Sequence, residues 1–353
     1  MASRNPDTAF HAPAPPTRKE KPRAHLTLEG HEDWVHGVAV IPGTHLLVTA
    51  SSDKTLRLWD LVKGQQVGKP LLGHDIGVWT VAASPNGRWI VSGATDGSIL
   101  VWEVATQKSV SVSFKGHKQC VSSVAFAPDN KTFASASDDK TVCVWLRETG
   151  KIILGPLQVG SNAWSVSYSF DGSRLAAGTG QHIMIWNTSN GKELLKIEQQ
   201  AVGVAFTPDG LRLISGCIHD IRISDAITGD VIKQFEAHTE LFQSLAIAPD
   251  GTKVASTSID STTRFFDLTT FEPIGEPLEH PDAVYCVAFS DDSQLVATGC
   301  EDTHLRLWTV PQCDSDKESK QVRKSFTSYA LLMLTCSTAP KGYLISHMYI
   351  RTY

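Results

Sequence analysis

Residues 116–145 read GHKQCVSSVAFAPDNKTFASASDDKTVCVW, and the rest of the chain becomes intelligible from them. The stretch opens on Gly-His, runs through Val121, Val124 and Phe126, turns at Pro128-Asp129-Asn130 and closes with a second hairpin on Trp145. Apolar residues alternating with polar ones between Pro, Asp and Asn clusters mark short antiparallel strands, and no helical spacing competes with that reading. Three strands alone cannot bury both of their faces, so the unit needs neighbours of its own kind.

The chain supplies them. His31, His74, His117, His238 and His280 are each followed 28 positions later by an aromatic residue: Trp59, Trp102, Trp145, Phe266 and Trp308. Two weaker copies, at 163–186 and 202–225, keep the strand-turn-strand pattern without the Gly-His. The closing positions fall at 59, 102, 145, 186, 224, 266 and 308, about 40 residues apart, the period of four-stranded propeller blades. Fourth strands are expected in six linking segments, among them 109–114 and 272–278, and one is missing after the seventh unit. Residues 24–29, around Leu26-Thr27-Leu28, are expected to supply it, so that the first and last units share a sheet and no edge stays open.

Composition bounds the function. The 353 residues carry a formal net charge of −5, and a mildly acidic balance argues against nucleic acid as a direct partner. Seven scattered cysteines with no CxxC fit a reducing compartment. Residues 1–23 are proline-rich, with a basic cluster at Arg18, Lys19, Lys21 and Arg23, and read as a disordered tail where a secretory signal would need an apolar core. The late apolar run at 329–334 is far short of a membrane span. The expected organisation is therefore a tail at 1–23, a ring at 24–310, and a charged linker with an apolar tail at 311–353, located in the cytosol or nucleus.

Gly-His at 30–31, 73–74 and 116–117, Trp-Asp at 59–60, and the turns SSDKTLRLW, GATDGSILVW, SASDDKTVCVW and CEDTHLRLW together resemble the WD40-repeat family. The resemblance implies an all-β, seven-bladed propeller acting as a non-enzymatic scaffold, an adaptor that binds peptides or domains of other proteins. No cofactor, metal, small-molecule substrate or membrane is implied.

Each well-kept unit places a Ser or Thr four residues before an Asp, and that Asp six before the aromatic residue. The sets are His31/Thr49/Asp53/Trp59, His74/Ser92/Asp96/Trp102, His117/Ser135/Asp139/Trp145 and His280/Thr298/Asp302/Trp308, with His238/Ser256/Asp260/Phe266 lacking the indole donor. Ser, His and Asp together suggest a nucleophilic triad. An active site is built once per domain, whereas this set recurs, and its hydroxyl is freely Ser or Thr. The expected role is structural: indole N–H to hydroxyl, hydroxyl to imidazole, imidazole to carboxylate. Val159, Ala176 and Gly180 replace the set in the fourth unit, so units four and five are expected to be the weakest.

The resemblance also implies recognition at the mouth of the ring, near the start of each first strand and the turn between the second and third. Counting three and five residues past each His, and aligning Trp164 with Trp79, selects Trp34, His36, Trp79, Asn162, Trp164, Leu241, Gln243 and Tyr285 as partner-binding residues, with Asp138 and Glu301 as acidic points. A nucleic-acid-associated propeller would instead need Lys and Arg at the mouth. A propeller enzyme would need one unrepeated polar cluster.

Overall fold

The computed structural model describes residues 21–110, 112 and 114–312. Of the expected tails at 1–23 and 311–353, residues 1–20 and 313–353 lie outside these residues. Within them, 28 strands form seven four-stranded antiparallel sheets, and there is no helix. Six blades are continuous in sequence, at 35–71, 78–109, 121–158, 163–197, 203–236 and 242–279. The strands of each blade are named a to d here, in chain order.

The seventh blade combines 284–309 with Leu26–Leu28, which adds to Leu305–Thr309 in the register Leu26↔Leu307, Thr27↔Arg306 and Leu28↔Leu305. His25 N–H donates to Leu307 O at 2.7 Å and extends the ladder by one bond. The closure read from the sequence is thus the closure observed. Strand a of every blade touches strand a of the next, including the contact of blade 7 with blade 1, so the innermost strands form an unbroken ring.

The core sits between blades rather than inside a single sheet. One cluster joins Val48, Leu58, Val78 and Trp102 across blades 1 and 2, and another joins Val91, Phe114, Phe133 and Trp145 across blades 2 and 3. Leu28, Trp59 and Leu307 do the same across the closing blade and blade 1. Each sheet therefore buries both faces only in the company of its neighbours, which is why the repeats cannot be read one at a time.

Two outer strands depart from expectation. In blade 2, strand d is only Lys108–Ser109, with Val110 N–H donating to Val101 O, and Phe114 turns inward against Phe133 and Trp145. In blade 6, the segment 272–278 forms no continuous strand. Leu278–Glu279 pairs with Thr263 and Thr262, and Pro273 makes an isolated bridge to Phe266. Pro273 and Pro277 have no N–H to give a ladder, so pairing can occur only beside them.

Candidate functional site

Two arrangements recur around the ring. The first is the chain of hydrogen bonds expected from the repeated His, Ser/Thr, Asp and Trp residues. In blade 1, Trp59 Nε1–H donates to Thr49 Oγ1 at 2.8 Å, the Thr49 hydroxyl lies 2.7 Å from His31 Nε2, and His31 Nδ1 lies 2.7 Å from Asp53 Oδ2. A carboxylate only accepts, so Nδ1 carries the proton and Nε2 accepts from the hydroxyl. Blade 3 repeats the chain through Trp145, Ser135, His117 and Asp139 at 2.7, 2.6 and 3.0 Å. In blade 6, His238 bonds Ser256 at 2.8 Å and Asp260 at 3.0 Å, while Phe266 supplies no donor.

Blades 2 and 7 correct the expected chain. Trp102, Ser92 and His74 are linked at 2.9 and 2.8 Å, but His74 Nδ1 meets Ser98 Oγ at 3.0 Å rather than Asp96. Trp308, Thr298 and His280 are linked at 2.9 Å each, but His280 Nδ1–H donates to Leu278 O, and Asp302 pairs with Arg306 at 3.0 Å. The cause lies two residues past the Asp. Thr55, Thr141 and Thr262 donate their hydroxyls to Oδ1 of Asp53, Asp139 and Asp260 at 2.7, 2.6 and 2.6 Å, which leaves Oδ2 facing the imidazole. Blade 2 has Ser98 there, whose hydroxyl takes the imidazole itself, and blade 7 has His304, which cannot play either part.

The electrostatics follow the geometry. Burial pushes the Asp53 carboxyl up, but the hydrogen bonds and charge of His31 together with Thr55 outweigh it and hold the group well below the usual carboxylate range. Burial lowers His74 and His280 to about 4, so both rings are neutral near pH 7.

Blade 5 keeps no such chain. Gln199 Nε2–H donates to Ser215 Oγ at 2.8 Å in place of an imidazole, and Gln199 Oε1 and Ser224 Oγ are buried without a partner. In blade 4, Val159 and Ala176 are fully packed where the His and hydroxyl would stand.

The second arrangement lies at the mouth. In six blades the pairing of strands a and b skips one residue near the start of strand a: His36, Trp79, Ser122, Trp164, Gln243 and Tyr285. A bulge re-aims the side chain of the unpaired residue. All six line one cavity of about 730 Å³. Blade 5 has no bulge; there Gly203 and Gly216 lie against the ring of Phe242 from blade 6, and a Cβ at Gly216 would stand 2.1 Å from it. The turn after strand b is tied to this place by backbone bonds, Ser52 N–H to Trp34 O, Thr95 to Gly77, Asp138 to Cys120, Ile259 to Leu241 and Glu301 to Ala283, all within 2.9–3.1 Å. Residues 16 positions past the bulge are thereby brought beside it: His36 bonds Ser52 at 2.8 Å, Ser122 bonds Asp138 at 3.1 Å, and Tyr285 O–H donates to Glu301 at 3.0 Å.

Aromatic rings gather on one side of the cavity. His36 stacks on Trp79 at 4.0 Å and lies 5.0 Å from Tyr285, which in turn stacks on Trp34 at 5.6 Å. Trp34 and Trp79 are 40% and 37% exposed, while Trp164 and Tyr285 are half-buried. His36 is a correction to its expected place on the surface: only 8% exposed, it is enclosed by these rings and by Ser52, and burial lowers it to about 4.

Leu241 and Asp138 line the cavity, whereas Trp34, Asn162 and Glu301 stand outside its lining, Trp34 stacked on Tyr285, Asn162 O accepting from Gly180 N–H and Glu301 accepting from Tyr285. Gln200 and Ile218 of blade 5 also line the cavity and escape sequence reasoning, because that unit has no Gly-His from which to count. Among the described residues no group of three or more His, Cys, Asp or Glu is placed to hold a metal ion.

Comparison with known proteins bears on the fold. The chain is 29% identical over 163 residues to apoptotic protease-activating factor 1 of Homo sapiens, covering 45% of this chain and 13% of that protein. It is 35% identical over 122 residues to mitochondrial division protein 1 of Schizosaccharomyces pombe, covering 32% and 18%. It is 27% identical over 143 residues to serine-threonine kinase receptor-associated protein of Gallus gallus, covering 40% and 41%. The chain thus spans less than half the length of each of these relatives.

The family described as WD domain, G-beta repeat matches residues 23–60, 64–103, 108–145, 155–187, 229–267 and 271–309, passing over the blade that has neither the bulge nor the imidazole. With six matched repeats, and a seventh blade that the structure adds between them, the chain belongs to the WD40 family.

Proposed function

We propose that this ring is a protein-interaction scaffold, an adaptor subunit of a multiprotein complex that receives a peptide or domain of its partner at the mouth. The observation that carries the reading is the convergence of six bulged residues, four of them aromatic or imidazole rings, on a single open cavity. Trp and Tyr dominate binding hot spots, and two exposed indoles at one opening form the kind of surface that a partner covers. The recurring His, Ser/Thr and Asp sets do not converge there; their hydrogen bonds are made inside the blades. A nucleic-acid-associated ring draws no support from the mouth, whose lining contains no Lys or Arg. A cytosolic or nuclear location belongs to the same proposal, and the five described cysteines, all unpaired, accord with it.

The test compares partners captured by the wild-type chain and by a Trp79→Ala/Trp164→Ala variant, with thermal melting of both. Expected is loss of partners with a stability change of about 1 kcal/mol, the scale of the lost Trp79–His36 stack. Unchanged capture would sink the proposal.

A further inference from the structure

Blade 3 interrupts the aromatic lining of the mouth. At equivalent bulged positions, blades 2, 3 and 4 carry Trp79, Ser122 and Trp164, so one small side chain stands between two indoles. Ser122 Oγ holds Asp138 at 3.1 Å, and Asp138 lines the cavity. No Lys or Arg lines that cavity, and among the described residues Asp138 makes no ion pair. Burial, with Asp139 nearby, raises its carboxyl above the ordinary value, the mark of a charge that has lost water without gaining a counter-ion.

His36, more than nine-tenths buried and lining the same cavity, bonds Ser52 through Nε2 and has a second ring nitrogen, Nδ1, with no hydrogen-bond partner. Lowered to about 4 by burial, the ring is neutral near pH 7 and brings no positive charge to the mouth.

We infer that the mouth recognises a cationic side chain, an arginine or lysine presented by the partner protein, with Asp138 as its counter-ion and the faces of Trp79 and Trp164 on either side. This rests on the scaffold reading above and names the partner's chemistry. A guanidinium or ammonium group is attracted to an indole face and gains further from a partly desolvated carboxylate. An acidic or purely apolar segment would leave Asp138 partly desolvated and uncompensated.

The probe is a capped pentapeptide, acetyl-Gly-Gly-Arg-Gly-Gly-amide, titrated at millimolar concentration into the full chain, reading the indole N–H signals by NMR. Companion peptides carry Lys, citrulline, norleucine or Glu at the central position. Expected are saturable shifts of the Trp79 and Trp164 signals with Arg and Lys, at least tenfold weaker binding with citrulline and norleucine, and none with Glu. Asp138→Asn should weaken the Arg peptide about tenfold, whereas Asp96→Asn, a carboxylate on the turn of the preceding blade, should leave it unchanged, with both variants melting as wild type.

If citrulline or norleucine binds as well as Arg, or Asp138→Asn binds undiminished, cation recognition is overturned while the mouth remains a docking site. If no peptide moves the two indole signals and partner capture by the Trp79→Ala/Trp164→Ala variant is unchanged, both readings fall.

Discussion

Asp53 and Asp96 hold the same place in consecutive blades, yet only one of them touches its histidine. Removing Asp53 strips the buried His31 imidazole of its acceptor, so Asp53→Ala should cost about 1–3 kcal/mol in denaturant unfolding. Asp96→Ala removes only a turn carboxylate and should stay within about 0.5 kcal/mol. Ser98→Thr, which introduces the orienting residue found in blades 1, 3 and 6, should turn Asp96 toward His74 and raise the cost of losing it. The pH dependence belongs to the same residues. His36, His74 and His280 are lowered to about 4 from 6.5, so the unfolded chain binds protons that the folded ring refuses. Their stabilising contribution is complete above pH 6.5 and lost as pH falls toward 4, at about 1.4 kcal/mol per pH unit for each ring in the middle of that window. Thermal melting between pH 7 and 4 should show the decline, and His74→Gln should flatten it by one ring's share. The sets themselves were legible in the sequence, because a spacing of 28 repeated five times allows one reading. Which carboxylate is engaged was not, since that depends on one hydroxyl two residues further on.

The glycine before His31, His74 and His117 and the indole that closes the same unit form one element. A Cβ at Gly116 would stand 2.5 Å from the Trp145 ring and one at Gly73 2.9 Å from the Trp102 ring. The sixth unit has Ala237 there and Phe266 as its ring, whereas the seventh has Glu279 before His280 and keeps Trp308. Gly116→Ala should therefore destabilise blade 3 by about 1–3 kcal/mol. Blade 5 is the weak element of the ring: it has an amide in place of an imidazole, two buried oxygens without partners, and no bulge. Amide exchange should show its strands, 203–236, protected least, and an equal protection across all seven blades would contradict this. The mouth residues were found by counting from histidines, and the bulge explains why the count works. Where the histidine is absent, as in blade 5, counting has no origin, and Gln200 and Ile218 stayed hidden.

At the scale of the whole molecule, the ring depends on a pairing between residues 277 positions apart, Leu28 with Leu305. Deleting residues 1–30 removes this strand, exposes the edge of Leu305–Thr309 and uncovers Trp59 and Leu307, which share a cluster with Leu28. The shortened chain should lose its single cooperative transition in calorimetry. The period of the repeats and the missing outer strand made seven blades and their closure readable in advance. The truncated outer strands of blades 2 and 6 were not, because packing of Phe114 and the lack of N–H at two prolines override local strand propensity there. The closing strand also sets a timetable. A ribosome adding about 5–20 residues per second releases Leu26–Leu28 roughly 15–55 s before their mate. For that interval the nascent chain carries a sticky three-residue ribbon and an unroofed tryptophan, and chaperones that shield such segments on the ribosome would decide how much of the protein matures.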